Sequence, residues 1–300
     1  MTTATATRAT HLAPFDHGRA GLANQVRSEW TKLRSVRSTW VCLAIIVVGG
    51  IGLSALVSNI EAGRWAHLGF ADRAQFDPVR FSQTGEFLSQ FVVGVLGALI
   101  ITSEYATGSI RTTLATTSRR TTVLVAKLLV VGVVVFVVSE ATAFASFFTG
   151  QVVLLAHGGK ALPAGSSILT QIHSPTIPVV SITDGNAARA VFLCGVYLLL
   201  LTLVACGFGF ALRHTAGAIS AFVGVLLVLP LVVNILPSSF SESFERYLPS
   251  NLGLAMILVT SRKTDFAGVL LTPWQAAGLL ALYTAGVVVL AAWLLVRRDA

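Results

Sequence analysis

A single carboxylate, Glu140, interrupts the apolar run Leu128–Phe148, and a group of ionisable side chains crowds the polar stretch Ser103–Arg120. A charge inside hydrocarbon is costly and marks a functional position by default. Glu140 is therefore a candidate proton-relay or substrate group. The other reading is an interior acid bonded to hydroxyls or to an arginine of a neighbouring span. Arg189 can fill that place only if it lies deeper than its position at a span end implies. The stretch Ser103–Arg120 differs in kind. Glu104 opens it, Arg111, Arg119 and Arg120 close it, and it cannot stay in hydrocarbon. Ile110 and Leu114 stand four apart and so share one face of a helix. It reads as a short amphipathic helix outside the membrane, available to a partner.

Signatures of a self-contained catalytic site are missing. No Gly-x-x-x-x-Gly-Lys-Ser/Thr loop occurs, and the nearest string, His157-Gly-Gly-Lys160, has the wrong spacing. Gly207-Phe-Gly209 lacks a third glycine and sits in an apolar run, where helix packing explains it. The six His residues show no metal-ligand spacing, and no Gly-x-Ser-x-Gly elbow is present. The chain is thus not expected to be an enzyme or to carry a cofactor or metal. If nucleotide energy is used, another polypeptide must hydrolyse it.

The elements that would position these residues follow from composition. The sequence is 54% hydrophobic and 11% charged, where soluble domains carry roughly 25% charged residues. Six continuous apolar runs approach or exceed the about 20 residues needed to cross a bilayer as a helix. They are Trp40–Val57, Phe87–Thr102, Leu128–Phe148, Ala190–Leu212, Ala216–Leu236 and Trp274–Val296. The second is short and needs a polar neighbour such as Ser103 to dip inward. Continuous rather than alternating polarity excludes a β-barrel. The expected fold is all-α and polytopic, with six spans over 39–300.

Segments 1–38, 103–127, 213–215 and 297–300 carry most of the 21 Lys and Arg, against only four acids, Asp16, Glu29, Glu104 and Asp299. Loops 59–86, 157–189 and 237–275 balance their charges. Positive charge marks the cytoplasmic side, so both termini are expected there. The high pI reflects topology and contact with anionic lipid rather than nucleic-acid binding. Cys42, Cys194 and Cys206 fall within spans and are expected as free, buried thiols.

Residues 1–20 are rich in Thr and Ala without apolar periodicity and read as a disordered tail. Over 21–38, Leu22, Val26, Trp30, Leu33 and Val36 keep to an arc of roughly 120°. Arg27, Lys32 and Arg34 lie off it. This predicts an interfacial helix on the cytoplasmic leaflet with Trp30 at headgroup depth. Glu29 breaks the pattern and calls for an ion pair with Lys32 or an arginine, or for a partner subunit. Lys127 is expected to snorkel to the headgroups. Trp65, His67, Phe70, Phe76 and Phe81 are expected to anchor the first external loop at the interface. The third apolar run is too long for one crossing, Pro230 should kink the fifth span, and Arg213-His214-Thr215 forces a tight hairpin. Leu252–Thr260 is too short to cross and reads as an external re-entrant or interfacial segment.

Two stretches together resemble the permease subunits of ABC exporters of the second type. One is Ser28-Glu-Trp-Thr-Lys-Leu-Arg-Ser-Val-Arg-Ser-Thr-Trp40, leading into the first span. The other is Ser103-Glu-Tyr-Ala-Thr-Gly-Ser-Ile-Arg-Thr-Thr-Leu-Ala-Thr-Thr-Ser-Arg119 after the second. The resemblance implies that residues 104–120 couple to a separate ATP-binding subunit, with Glu104, Gly108, Arg111 and Arg119 matching the pattern. Thr116-Thr117 stands where the family often has a proline before the closing Ser-Arg. It further implies ATP and Mg on the partner, a second permease copy or a paralogue, and a bacterial inner-membrane location. A stand-alone proton-coupled transporter or channel using Glu140 is the alternative from the residues alone.

Overall fold

In the computed structural model the described residues are 22–69, 72–73, 76–109, 120–161, 176–237, 244–259, 263–264 and 268–297. Among them, six helices are long and apolar enough to cross a membrane: Arg37–His67, Glu86–Ala106, Thr121–Ala156, Gly185–Leu212, Thr215–Ile235 and Pro273–Arg297. We number them the first to sixth spans. The chain is an all-α polytopic membrane protein. The disorder expected for 1–20 lies outside the described residues.

Inside hydrocarbon, lipid tails are as apolar as leucine, so close van der Waals fit between small residues holds helices together. Several of the glycines in the spans sit at such contacts. A Cβ on Gly94 would strike the Phe222 ring, and one on Gly97 would meet the Thr202 carbonyl. One on Gly207 would meet Val287, and one on Gly209 would meet Ile101. The fourth span is the hub, touching the second, third, fifth and sixth. Its Leu193, Tyr197, Leu198 and Leu201 are sealed in the main core.

The third helix runs unbroken from Arg120 to Ala156 over 37 residues, about 55 Å. That exceeds a hydrocarbon core of about 30 Å, so it must project beyond it. Its exposed Val125, Leu129, Val133 and Val137 form one stripe four residues apart, while Val131 and Val135 are buried. The second helix continues through Thr102 and Glu104, both buried, whereas Ser103, the residue expected to dip inward, is exposed. The helix ends at Ala106, and Gly108 just beyond has a φ of +71°, the left-handed turn that glycine adopts without strain after a helix.

Two spans contain a π-helical turn, Ile45–Gly49 in the first and Gly224–Val228 in the fifth. The second of these stands directly before Pro230. A proline removes one backbone donor, and a wider turn is a common accommodation. Cys42, Cys194 and Cys206 are buried free thiols.

At the end opposite the N-terminal helix, the aromatic loop turns inward. Trp65 and Phe76 are 4% and 2% exposed and meet edge to face at 5.0 Å. With Leu154, Ile177 and Val179 they build a separate small core. For Trp65 and Phe76 this corrects the expectation of headgroup anchors, since the loop has enough aromatic area to bury them; Phe81 is half-buried and His67 is exposed. Phe70 lies outside the described residues. Gln151 ties this end together, donating to Ser82 Oγ at 3.0 Å and accepting from Val180 N at 2.9 Å. Lys160–Ala161 pairs in parallel with Pro178–Val179, so part of the second loop is ordered rather than irregular.

The segment read as re-entrant contains a helix, Pro249–Ile257. It lies against the fourth and sixth spans, with Gly253 on the Tyr197 ring. Arg189 donates to the carbonyls of Met256 and Leu258 at its C-terminal end. Asp77 accepts from Val259 N at 2.8 Å with Oδ2 while its Oδ1 caps the short helix Pro78–Ser82.

Candidate functional site

The N-terminal helix, Leu22–Ser35, ends at Val36, whose extended backbone makes an elbow into the first span. The apolar arc of this helix divides. Leu22, Trp30 and Val36 are exposed, whereas Leu33 is buried and Val26 packs on the main core. The buried face is centred on Glu29, which is 4% exposed. An acid there requires a cation from the body of the protein, because an unpaired buried charge is not tolerated.

That cation is Lys127. Its Nζ lies 2.5 Å from Glu29 Oε2 and 2.8 Å from Glu104 Oε1, and the side chain is 2% exposed. Lys32 closes the group, reaching Glu29 Oε1 at 2.8 Å and Glu104 Oε1 at 3.1 Å. Two carboxylates and two ammonium groups therefore alternate across the N-terminal helix, the end of the second span and the start of the third. Lys127 does not snorkel. Two acids from neighbouring helices outbid water for its ammonium group, and its stem fills core volume. Lys32 remains 39% exposed by side chain. Burial lowers its affinity for a proton, but the adjoining Glu29 and Glu104 carboxylates outweigh this and hold its pKa above the ordinary 10.5.

The sequence reading foresaw Glu29 with Lys32 but missed Lys127 and the inward turn of Glu104. A signal was available: an acid and a base on separate apolar-flanked helices at the same end need each other more than they need solvent. Trp30 and Arg34 face out, and the Arg34 carbonyl accepts from Trp40 Nε1 at 3.0 Å. Glu104 opens no surface helix; it ends the second span and points into the ion cluster. Ile110, Arg111, Leu114 and Arg119 lie outside the described residues. Arg120 begins the third helix.

Beside the cluster, Thr102 Oγ1 and Thr215 Oγ1 share a hydrogen bond of 2.7 Å. The Arg213 guanidinium lies over the Tyr105 ring, 5.3 Å from its centroid. Arg213 adopts a left-handed φ of 54° that closes the hairpin between the fourth and fifth spans. The end of the second span is thus fastened to the N-terminal helix, to the third span and to this hairpin.

Glu140 stands apart from all of this, 13 residues along the third helix from Lys127, about 20 Å away. Its carboxylate packs on Gly195, where a Cβ would lie 2.5 Å from the carboxyl carbon. Both oxygens are sealed from solvent without a hydrogen-bond partner among the described residues. Neither hydroxyls nor Arg189 supply one: Arg189 donates to Met256 and Leu258 instead. Among the described residues, no group of His, Cys, Asp and Glu is arranged to hold a metal ion.

A family model described as ABC-2 family transporter protein matches residues 25–183. No curated protein matches the chain. The match spans the N-terminal helix and the first three spans, and so contains Glu29, Lys32, Glu104, Lys127 and Glu140. Covering more than half of the sequence, it shows that the chain belongs to the ABC-2 family of transporter membrane proteins.

Proposed function

We propose that the chain is the permease subunit of an ATP-driven exporter and that its basic end is cytoplasmic. ATP and Mg are bound by a separate subunit that docks there on residues 104–120. The observation that carries this reading is the four-membered ion cluster. It joins the segment that would receive a push to the second span, the third span and the N-terminal helix. Alternating access needs a two-state body moved as a unit. A partner pressing on 104–120 moves Glu104, and Glu104 takes the other elements with it through Lys127 and Lys32. Two permease copies flank the path, and the assembly lies in a bacterial inner membrane with both termini cytoplasmic.

The test is affinity purification from native membranes through a C-terminal tag. The unaltered protein is expected to bring down an ATP-binding subunit that a Glu104→Arg, Arg111→Glu variant loses at matched expression, and transport is expected to be vanadate-sensitive. An absence of any ATPase from both samples would defeat the proposal.

The carboxylate of Glu140, without a hydrogen-bond partner among the described residues, favours a second reading, a proton-coupled transporter working through that residue. Transport that persists under vanadate and collapses with the proton gradient, and that Glu140→Gln abolishes, would select it.

A further inference from the structure

Between the N-terminal helix, the elbow and the second and third spans lies a cleft of about 430 Å³, inside the about 300–1,000 Å³ range of small-ligand sites. Leu33, Val36, Ile100, Val130 and Val131 form its apolar wall, and Lys32, Glu104 and Lys127 its charged end. The ammonium groups of that end are not distributed evenly. Both Lys32 and Lys127 fall on Oε1 of Glu104. Oε2 of the same carboxylate is sealed from water without a donor among the described residues, although Glu104 is only 8% exposed. Thr39 also lines the cleft; it is 2% exposed and its Oγ1 likewise has no partner among the described residues. A desolvated carboxylate oxygen without a donor is costly, and the cost is recovered when a donor enters.

We infer that this cleft binds an amphiphile bearing a primary ammonium group, with the head on Glu104 Oε2 and Thr39 Oγ1 and the chain along the apolar wall. An N–H donor is required, so a primary ammonium fits where a quaternary one does not. A carboxylate or sulfate head has no N–H to give Glu104 Oε2 and does not fit there. The same chemistry is offered by a free alkylamine and by the ethanolamine headgroup of a membrane lipid.

The test uses the full chain in phosphatidylcholine nanodiscs and a photoactivatable dodecylamine, with labelling mapped by peptide mass spectrometry. Binding needs no ATPase, so its failure leaves the proposed coupling untouched and loss of the ATPase leaves it standing. Saturable labelling of the N-terminal helix and the end of the second span is expected, displaced by dodecylamine but not by dodecyl sulfate or dodecyltrimethylammonium. Glu104→Gln is expected to weaken it about tenfold, the worth of one charge-assisted hydrogen bond. Ser103→Trp fills the cleft from a residue outside the ion cluster and should abolish labelling with the protein still folded. Phosphatidylethanolamine in the nanodisc that suppresses labelling identifies the lipid as occupant; labelling undiminished by it identifies a free amine. Non-saturable labelling, equal displacement by dodecyl sulfate, or unchanged labelling in Ser103→Trp overturns the site.

Discussion

The ion cluster turns on one residue. Lys127 bridges both acids, as Lys32 does, but is almost wholly buried, and its removal leaves two carboxylates in low dielectric with only Lys32 between them. Lys127→Met is expected to lower stability by about 3–5 kcal/mol, as breaking a buried pair does, read as a fall in melting temperature of the purified protein. Replacing the set by Glu29→Gln, Glu104→Gln and Lys127→Met should recover most of that loss, because the one charge left, on Lys32, is 39% exposed by side chain and can be solvated. A pH effect belongs to Lys32. Its folded pKa is raised above 10.5, so its contribution to docking the N-terminal helix is complete below that value. It is lost as pH climbs through the raised folded pKa. Fluorescence of the exposed Trp30 should therefore report no detachment at neutral pH and a transition only in strong alkali. In Lys32→Met that alkaline transition should vanish. Gly108 marks the same end at the backbone: its positive φ is specific to glycine in cost, whereas its side-chain space is open.

At the level of elements, the fit between helices depends on where a methyl group has no room. A Cβ on Gly85 would lie 1.9 Å from the Gly50 carbonyl oxygen, a backbone atom that cannot rotate away. The Gly85 amide also donates to Ser54 Oγ at 2.9 Å, so the first span and the start of the second are locked at that level. Gly85→Ala is expected to cost about 1–3 kcal/mol, the usual penalty of overpacking. Gly52, with nothing within 4 Å of its Cβ position, provides the comparison: Gly52→Ala should be neutral or slightly stabilising. Equal melting temperatures for the two variants would contradict the packing described. The length of the third helix matters at this scale too. It reaches from Lys127 in the ion cluster to Gln151 in the polar lattice of the far end, and Glu140 lies between them on the same rigid rod.

For the whole molecule, orientation is the open physical variable, and the buried native thiols make it measurable by cysteine labelling. Thr183 and His214 are both exposed, at opposite ends of the fourth span. With the basic end cytoplasmic, Thr183→Cys is expected to react with a membrane-impermeant maleimide on intact cells. His214→Cys should react only after permeabilisation. The reverse pattern would invert the topology and remove the docking surface from the side where nucleotide is found.

Hydropathy alone determined that the protein is a bundle of six membrane helices, because no soluble fold can hide apolar runs of that length. The small residues Gly207 and Gly209 were legible as contact points for the same reason: in lipid only close approach holds helices together. Which face of each helix meets which neighbour was not legible, since the third span is apolar all round and carries no periodic signal to orient it. The partner of Glu29 was therefore beyond local reading. Lys127 stands 98 residues away, and only the packing of the third span against the N-terminal helix brings it within hydrogen-bond reach. Glu104 shows the same division. Its sequence neighbours are polar and suggested a surface helix, but the second span continues past the end of its apolar run and carries the carboxylate inside. Charge pattern placed these residues at one end of the molecule; tertiary structure decided that they neutralise each other there, because a buried charge left unpaired costs far more than a paired one.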